Sequence, residues 1–190
     1  MFHVLGVSGS PKREGNTEIL IEAAFRPFIQ AGHTVHRFFL SEKKVLPCRA
    51  CEGCASNGVC VIEDDMKGLL EELKICDAVI IGSPVYMRNI SAQLKAVFDR
   101  FHCCIFKSPF VGKAGGAIAV GGAANSQGTV LNIIYSFFLS QGIYCVPARL
   151  NGVSAVAMKK GEVKDQPESL RDAERLGENI LGLLTKLAGR

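Results

Sequence analysis

Short apolar runs alternate with helical patterns from one end of this chain to the other, and that alternation restricts the architecture more than any other feature. Val4 to Val7 is an apolar run stopped by Ser8-Gly9-Ser10-Pro11, and it reads as a first strand. From Asn16 to Ala31, residues Ile19, Leu20, Ala23, Ala24 and Phe28 fall at helical spacing, and Gly32 closes the helix. Thr34 to Leu40 reads as a second strand. Asp64-Asp65 opens a second helix through Lys74, with acids at its positive end. Further strands are expected at Ala78 to Gly82, Ala117 to Val120 and Ile143 to Val146. Further helices are expected at Ser91 to His102, Thr129 to Ser140 and Glu168 to Leu187. Such alternation implies a parallel sheet with helices on both faces. Five strands, the first short and internal, suggest an α/β doubly wound sheet in the order 2-1-3-4-5. A chain of 190 residues suits one domain, 1–190, with a cysteine-rich insertion at about 41–63. At that length it can bury about 70% of its unfolded surface without disulfide staples.

Ligands in such sheets sit beyond the carboxyl ends of the strands, where the strand order reverses. The loops after strands one, three and four therefore carry the functional argument. The first reads Ser8-Gly9-Ser10-Pro11-Lys12-Arg13-Glu14-Gly15-Asn16-Thr17. It contains neither a nucleotide-triphosphate loop nor the dinucleotide glycine fingerprint. Ser8, Ser10, Asn16 and Thr17 offer side-chain donors, Gly9 and Gly15 let backbone approach closely, and a helix N-terminus follows. These parts suit a phosphate; they also suit an ordinary strand–helix turn capped by Asn16 or Thr17. The second loop, Ser83-Pro84-Val85-Tyr86-Met87-Arg88-Asn89, places an aromatic and a polarisable side chain where a ring system would lie, or where they would simply pack under the loop. The third begins Gly121-Gly122, whose glycines either open backbone N–H groups to a ligand edge or make a plain turn. A phosphate cradle, an aromatic wall and a glycine-lined edge at one switch point are the parts that flavin mononucleotide (FMN) needs.

Cys48, Cys51, Cys54 and Cys60 place four of the eight cysteines within thirteen positions. The N-terminus shows no basic region followed by a long apolar core, so a reducing cytoplasm is expected, where clustered thiols mean metal or redox chemistry rather than disulfides. Zinc sites pair two C-x2-C knuckles across a finger. Here three cysteines recur at every third residue, as in the ferredoxin wrapping of an iron–sulfur cubane. One cluster held by all four fits this spacing better than zinc or free redox thiols. Cys76, Cys103, Cys104 and Cys145 lie in apolar stretches and are expected as buried small hydrophobes. No role is assigned to the scattered histidines, and Lys159 to Lys164 reads as a solvated charged loop.

The segments "GSPKREGNT", "IIGSPVYMRNISAQLKAVFDR" and "GGAANSQGT" resemble the NADPH-dependent FMN reductase family of flavodoxin-like proteins. With the cysteine spacing added, the resemblance is to the iron–sulfur flavoproteins of anaerobic archaea and bacteria. It covers roughly residues 2 to 150. It implies a flavodoxin-like fold in which the first loop holds the FMN phosphate through Ser8, Ser10, Pro11, Arg13, Gly15, Asn16 and Thr17. Pro84, Val85, Tyr86 and Met87, with Gly121 and Gly122, would hold the ring. It also implies homodimers or homotetramers with the flavin near a subunit boundary.

The reading is an FMN-dependent oxidoreductase or electron carrier with FMN and one [4Fe-4S] cluster, fed by a ferredoxin-like one-electron donor. Such cofactors need no side-chain base or nucleophile, so no catalytic residue is named. The alternatives are an NAD(P)H-dependent FMN or quinone reductase without a functional cluster, and a non-enzymatic metal- or redox-sensing module. Scattered basic residues and a net charge of +4 argue against nucleic acid. No apolar run approaches the roughly 20 residues that span a bilayer.

Overall fold

The structure, a computed structural model, describes residues 1–105 and 108–189. Strands β1 (His3–Ser8), β2 (Thr34–Phe39), β3 (Ala78–Pro84) and β4 (Ala114–Gly121) run parallel in the order β2-β1-β3-β4. Val4 pairs with Val35 on one side and Ala78 on the other, and β3 pairs with β4 from Ala78–Ala114 to Pro84–Val120. The order 2-1-3-4-5 is borne out, but its fifth position is shared by two short strands. β5 (Tyr144–Cys145) pairs with Ala114 and Gly115; β6 (Val153–Val156) pairs with Ile118 to Gly121. Between them Pro147 has no N–H to offer a ladder, and the chain turns out and back before resuming. β6 escapes a reading of the sequence because it is only four residues long, with Val153 and Ala155 turned inward and Ser154 and Val156 outward.

Helices α1 (Asn16–Gln30) and α5 (Pro167–Ala188) cover one face; α2 (Met66–Ile75), α3 (Ala92–Arg100) and α4 (Gln127–Ser140) cover the other. Period-2 alternation in the strands feeds both. Val4, Ala78 and Ile80 join Leu20, Phe25, Phe28, Leu176 and Ile180, while Leu5, Val79 and Ile81 join Leu69, Leu73, Leu94, Val97 and Ile134. Each such fully buried large side chain contributes about 1.5–3 kcal/mol relative to exposure. α1 and α5 approach so closely that a Cβ on Gly177 would lie 2.1 Å from the Ala24 carbonyl oxygen, so this contact admits only glycine.

Two expectations about cysteines are corrected here. Cys76 and Cys103 are buried, but Cys104 is half-buried and Cys145 is exposed. Cys145 belongs to a two-residue strand at the sheet margin whose residues are both exposed, so its apolar flanks do not amount to a core position. Among the described residues no helix is long and apolar enough to cross a membrane.

Candidate functional site

Beyond the carboxyl ends of β1, β3, β4 and β6 lies a cavity of about 210 Å³. Hydrogen bonds between the loops shape it. The Gly9 N–H donates to the Gly82 carbonyl at 2.7 Å, and the Ser91 hydroxyl donates to the Gly9 carbonyl at 2.6 Å. Ser91 also caps α3 by accepting the Leu94 N–H at 3.1 Å. One residue thus starts a helix and ties the loops after β1 and β3 together. The Val85 N–H donates to the Val120 carbonyl at 2.7 Å, joining the loops after β3 and β4.

The first loop turns the start of α1 towards the cavity, which Ser10, Lys12, Gly15, Asn16 and Thr17 line. Among the described residues no side chain caps α1 at its N-cap, Gly15. Its first N–H groups and the positive end of its dipole are therefore available to an anion. Thr17 is 2% exposed, and its hydroxyl has no hydrogen-bond partner among the described residues. Its methyl occupies the space a Cβ on Gly82 would need, at 2.7 Å. A hydroxyl left unpaired in a cavity beside an uncapped helix end is a donor set that suits an anion. The Ser10 hydroxyl accepts the Lys12 N–H at 3.1 Å, folding the loop around it.

The second wall is Pro84, Val85 and Tyr86. Tyr86 and Asn89 exchange backbone hydrogen bonds at 3.0 and 2.9 Å across a two-residue turn. Met87 (φ 48) and Arg88 (φ 60) both sit in the left-handed region there, which side chains of that size seldom occupy. Met87 is turned out of the cavity and is 97% exposed. Gly122 and Val120 form the third wall.

The fourth wall, Ala157, Met158 and Lys160, lies within and just before the stretch that reads as a solvated loop. The structure corrects that reading. The Met158 and Lys159 N–H groups both donate to Glu162 at 2.8 Å, and Val163 is fully buried. Asn16 binds this segment: its amide donates to the Lys159 carbonyl at 2.8 Å and accepts the Val163 N–H at 3.3 Å. Gln127, 2% exposed, donates to the Ala123 and Ala155 carbonyls and joins the loop after β4 to β6.

Of the residues expected at an FMN site, the cavity gathers Ser10, Gly15, Asn16, Thr17, Pro84, Val85, Tyr86 and Gly122. Ser8 lies beneath it, fully buried, accepting the Ser10 N–H at 3.2 Å. Gly121 lies under the third loop, and Pro11 is exposed outside the wall. Arg13 turns away to pair with Glu42 at 2.9 Å. Lys12, Val120, Ala157, Met158 and Lys160 are additional lining residues. The alternation of Val153 to Val156 was the one signal for a strand that delivers the last three.

A second centre is the cysteine loop. Its neck is closed by paired rungs. Lys44 donates its N–H to Asp65 at 2.8 Å, and the Asp65 N–H donates to the Lys44 carbonyl at 3.1 Å. Leu46 donates its N–H to Asp64 at 2.8 Å. Arg100, at the end of α3, forms a two-pronged pair with Asp64 at 2.7 and 3.2 Å and also donates to the Leu46 and Ile62 carbonyls at 3.0 and 3.3 Å. The side chains of this pair are 1% and 3% exposed. Burial pushes the Asp64 carboxyl up, but the hydrogen bonds from Arg100 and from the Leu46 and Met66 N–H groups outweigh it and hold Asp64 below its ordinary range.

Within the loop Cys48 and Cys51 are exposed and Cys54 and Cys60 half-buried, all as free thiols. Ala50 (φ 49) and Glu52 (φ 57) hold left-handed backbone on either side of Cys51. Among the described residues no three cysteine, histidine or acidic side chains converge on a point that would hold a single metal ion. A cluster, unlike a single ion, offers separate irons to separate thiolates, so its ligands need not meet at one point. Four thiols spaced along one exposed loop are a donor set of that kind.

A family model described as NADPH-dependent FMN reductase matches residues 2–155. An iron–sulfur flavoprotein of Methanocaldococcus jannaschii is 35% identical, over 93% of this chain and 94% of the relative. An iron–sulfur flavoprotein of Archaeoglobus fulgidus is 31% identical, over 98% of this chain and 99% of the relative. The crystal structure of a flavodoxin, WrbA-like protein from Agrobacterium tumefaciens superposes with a TM-score of 0.70 at 19% identity, covering 98% of this chain and 99% of that one.

Proposed function

The chain belongs to the NADPH-dependent FMN reductase family, and on that premise we propose that it is an iron–sulfur flavoprotein, with FMN in the cavity and one [4Fe-4S] cluster on the cysteine loop. The family makes it an FMN-dependent oxidoreductase. The observation that carries the FMN site is the unpaired hydroxyl of Thr17 beside the uncapped start of α1. The N–H groups of that turn, with Ser10 and Thr17, take the phosphate oxygens, and Lys12 and Lys160 balance their charge. A cavity of about 210 Å³ encloses the phosphate end only, since pockets for whole ligands begin at about 300 Å³. Tyr86, 44% exposed, and Met158, 76% exposed, supply flat and polarisable surface at its mouth for the ring. That open mouth suits a homodimer or homotetramer in which a second copy covers the flavin.

When bound, FMN exchanges one or two electrons and the cluster one, so the pair can connect a one-electron donor to a two-electron acceptor. Cys48, Cys51, Cys54 and Cys60 hold the cluster at the surface, and the Arg100–Asp64 clamp keeps both ends of their loop together. A ferredoxin-like carrier is the proposed donor. Lys44 and Arg49 are exposed on this loop and suit an acidic partner.

The visible spectrum of anaerobically purified protein tests the assignment. Flavin bands on a broad brown shoulder, with iron and sulfide, are expected. Yellow alone would favour a reductase fed by NAD(P)H, the second reading that the family's description supports. Anaerobic stopped-flow then ranks the donors. Flavin bleaching should be faster with reduced ferredoxin than with NADPH and should slow as salt rises. Faster bleaching with NADPH in a cluster-free Cys54→Ala variant would reject the ferredoxin route.

A further inference from the structure

An arginine carries five N–H donors. Four of those on Arg100 are used, two on Asp64 and one each on the Leu46 and Ile62 carbonyls. The fifth, on Nε, is buried and has no partner among the described residues, in a residue that is 2% exposed. Buried donors in native proteins are paired, so this exception calls for a partner. Arg100 borders a cavity of about 400 Å³ between the cysteine loop, α2 and the turn after α3, and Cys60, Cys103 and Cys104 lie on its wall.

Three sulfur atoms are therefore candidate acceptors. Cys103 and Cys104 already engage each other, sulfur to sulfur at 3.5 Å. Cys60 is a free thiol, and it lies two residues from Ile62, whose carbonyl Arg100 holds.

We propose that Arg100 is a positioning residue that directs its Nε–H at the sulfur of Cys60 and thereby raises the reduction potential of the cluster that this thiolate ligates. The inference rests on the cluster reading above. Its sign follows from charge. Reduction adds an electron to the cluster and its sulfurs, and a charge-assisted N–H bond to one of those sulfurs favours the more negative state. Asp64 fixes the direction of the guanidinium, because its two oxygens occupy the fork opposite Nε.

The test is a redox titration of the purified holoprotein, followed by electron paramagnetic resonance for the cluster and by absorbance for the flavin. Arg100→Lys keeps the charge and loses the fork. It should bind full iron, sulfide and FMN and show a lower cluster potential with an unchanged flavin potential. An unchanged cluster potential in a fully loaded variant would leave Arg100 as a staple only and overturn the assignment. If the variant does not load, wild-type protein labelled with 15N at arginine Nε decides. A 15N coupling to the reduced cluster in pulsed resonance supports the bond, and its absence rejects it. Wild-type protein without iron and sulfide overturns the cluster reading itself, before any variant is compared.

Discussion

The cavity and the cysteine loop are built in opposite ways. The cavity is made of short loops from four strands, each hydrogen-bonded to its neighbours at the sheet end. The cysteine loop is a long irregular segment held at its neck, with its cysteines free and, among the described residues, no three of its ligand-type side chains meeting at a point. The first region is preorganised, so a ligand adds affinity. In the second, a cluster bound by the thiols, as proposed above, would couple binding to local folding. Both store backbone strain. Among the described residues, the six non-glycine residues with positive φ are Glu14, Ala50, Glu52, Met87, Arg88 and Asn125, and all lie in these loops and none in a strand or helix.

The contrast is broken most directly at the cysteines. Cys54→Ala should abolish most of the bound iron and sulfide while FMN content stays at the wild-type level, and Cys76→Ala should leave both. Metal analysis of anaerobic protein checks this. Loss of FMN together with iron would mean that the two regions fold as one.

The neck comes next. Asp64→Ala leaves Arg100 buried without its counter-charge, a change that typically costs about 3–5 kcal/mol. Urea denaturation should show a loss of that order, and proteolysis within residues 46–62 should accelerate. A loss below about 1 kcal/mol would place the pair in the class of exposed ion pairs.

A smaller effect is expected at the cavity because its backbone donors remain. A hydrogen bond to a charged group contributes about 1.5–3 kcal/mol, so Ser10→Ala with Thr17→Ala should weaken FMN binding tenfold or more. The iron content should not change. Equal FMN affinity in a fluorescence titration would move the phosphate elsewhere.

The smallest effect is the pH dependence of the neck. A carboxyl held below its ordinary value near 3.9 contributes stability that is complete above that value. That stability is lost as pH falls through the lowered folded value. Urea midpoints should therefore be insensitive to Asp64 between about pH 5 and 7 and fall below about pH 4. Asp64→Asn should show a weaker fall on the acid side. The same acid slope in both proteins would take Asp64 out of the effect.

Sequence alone determined the strand order, the helices on both faces, the three loops at the switch point and the cysteine spacing. Those features rest on period-2 and period-3.6 patterns and on turn residues, which act between neighbours in the chain. The tertiary structure decided the rest. It split the fifth strand and delivered Met158 and Lys160 to the cavity. It turned Arg13 away onto Glu42 and bound Asn16 to a segment more than 140 positions along. It also made Asp64 the partner of Arg100 as well as a helix-start acid. Each of these outcomes is a pairing between side chains or strand edges far apart in the chain. A residue's type limits what it can bind, but which partner it meets is set by how the sheet and helices pack, and no local pattern records that.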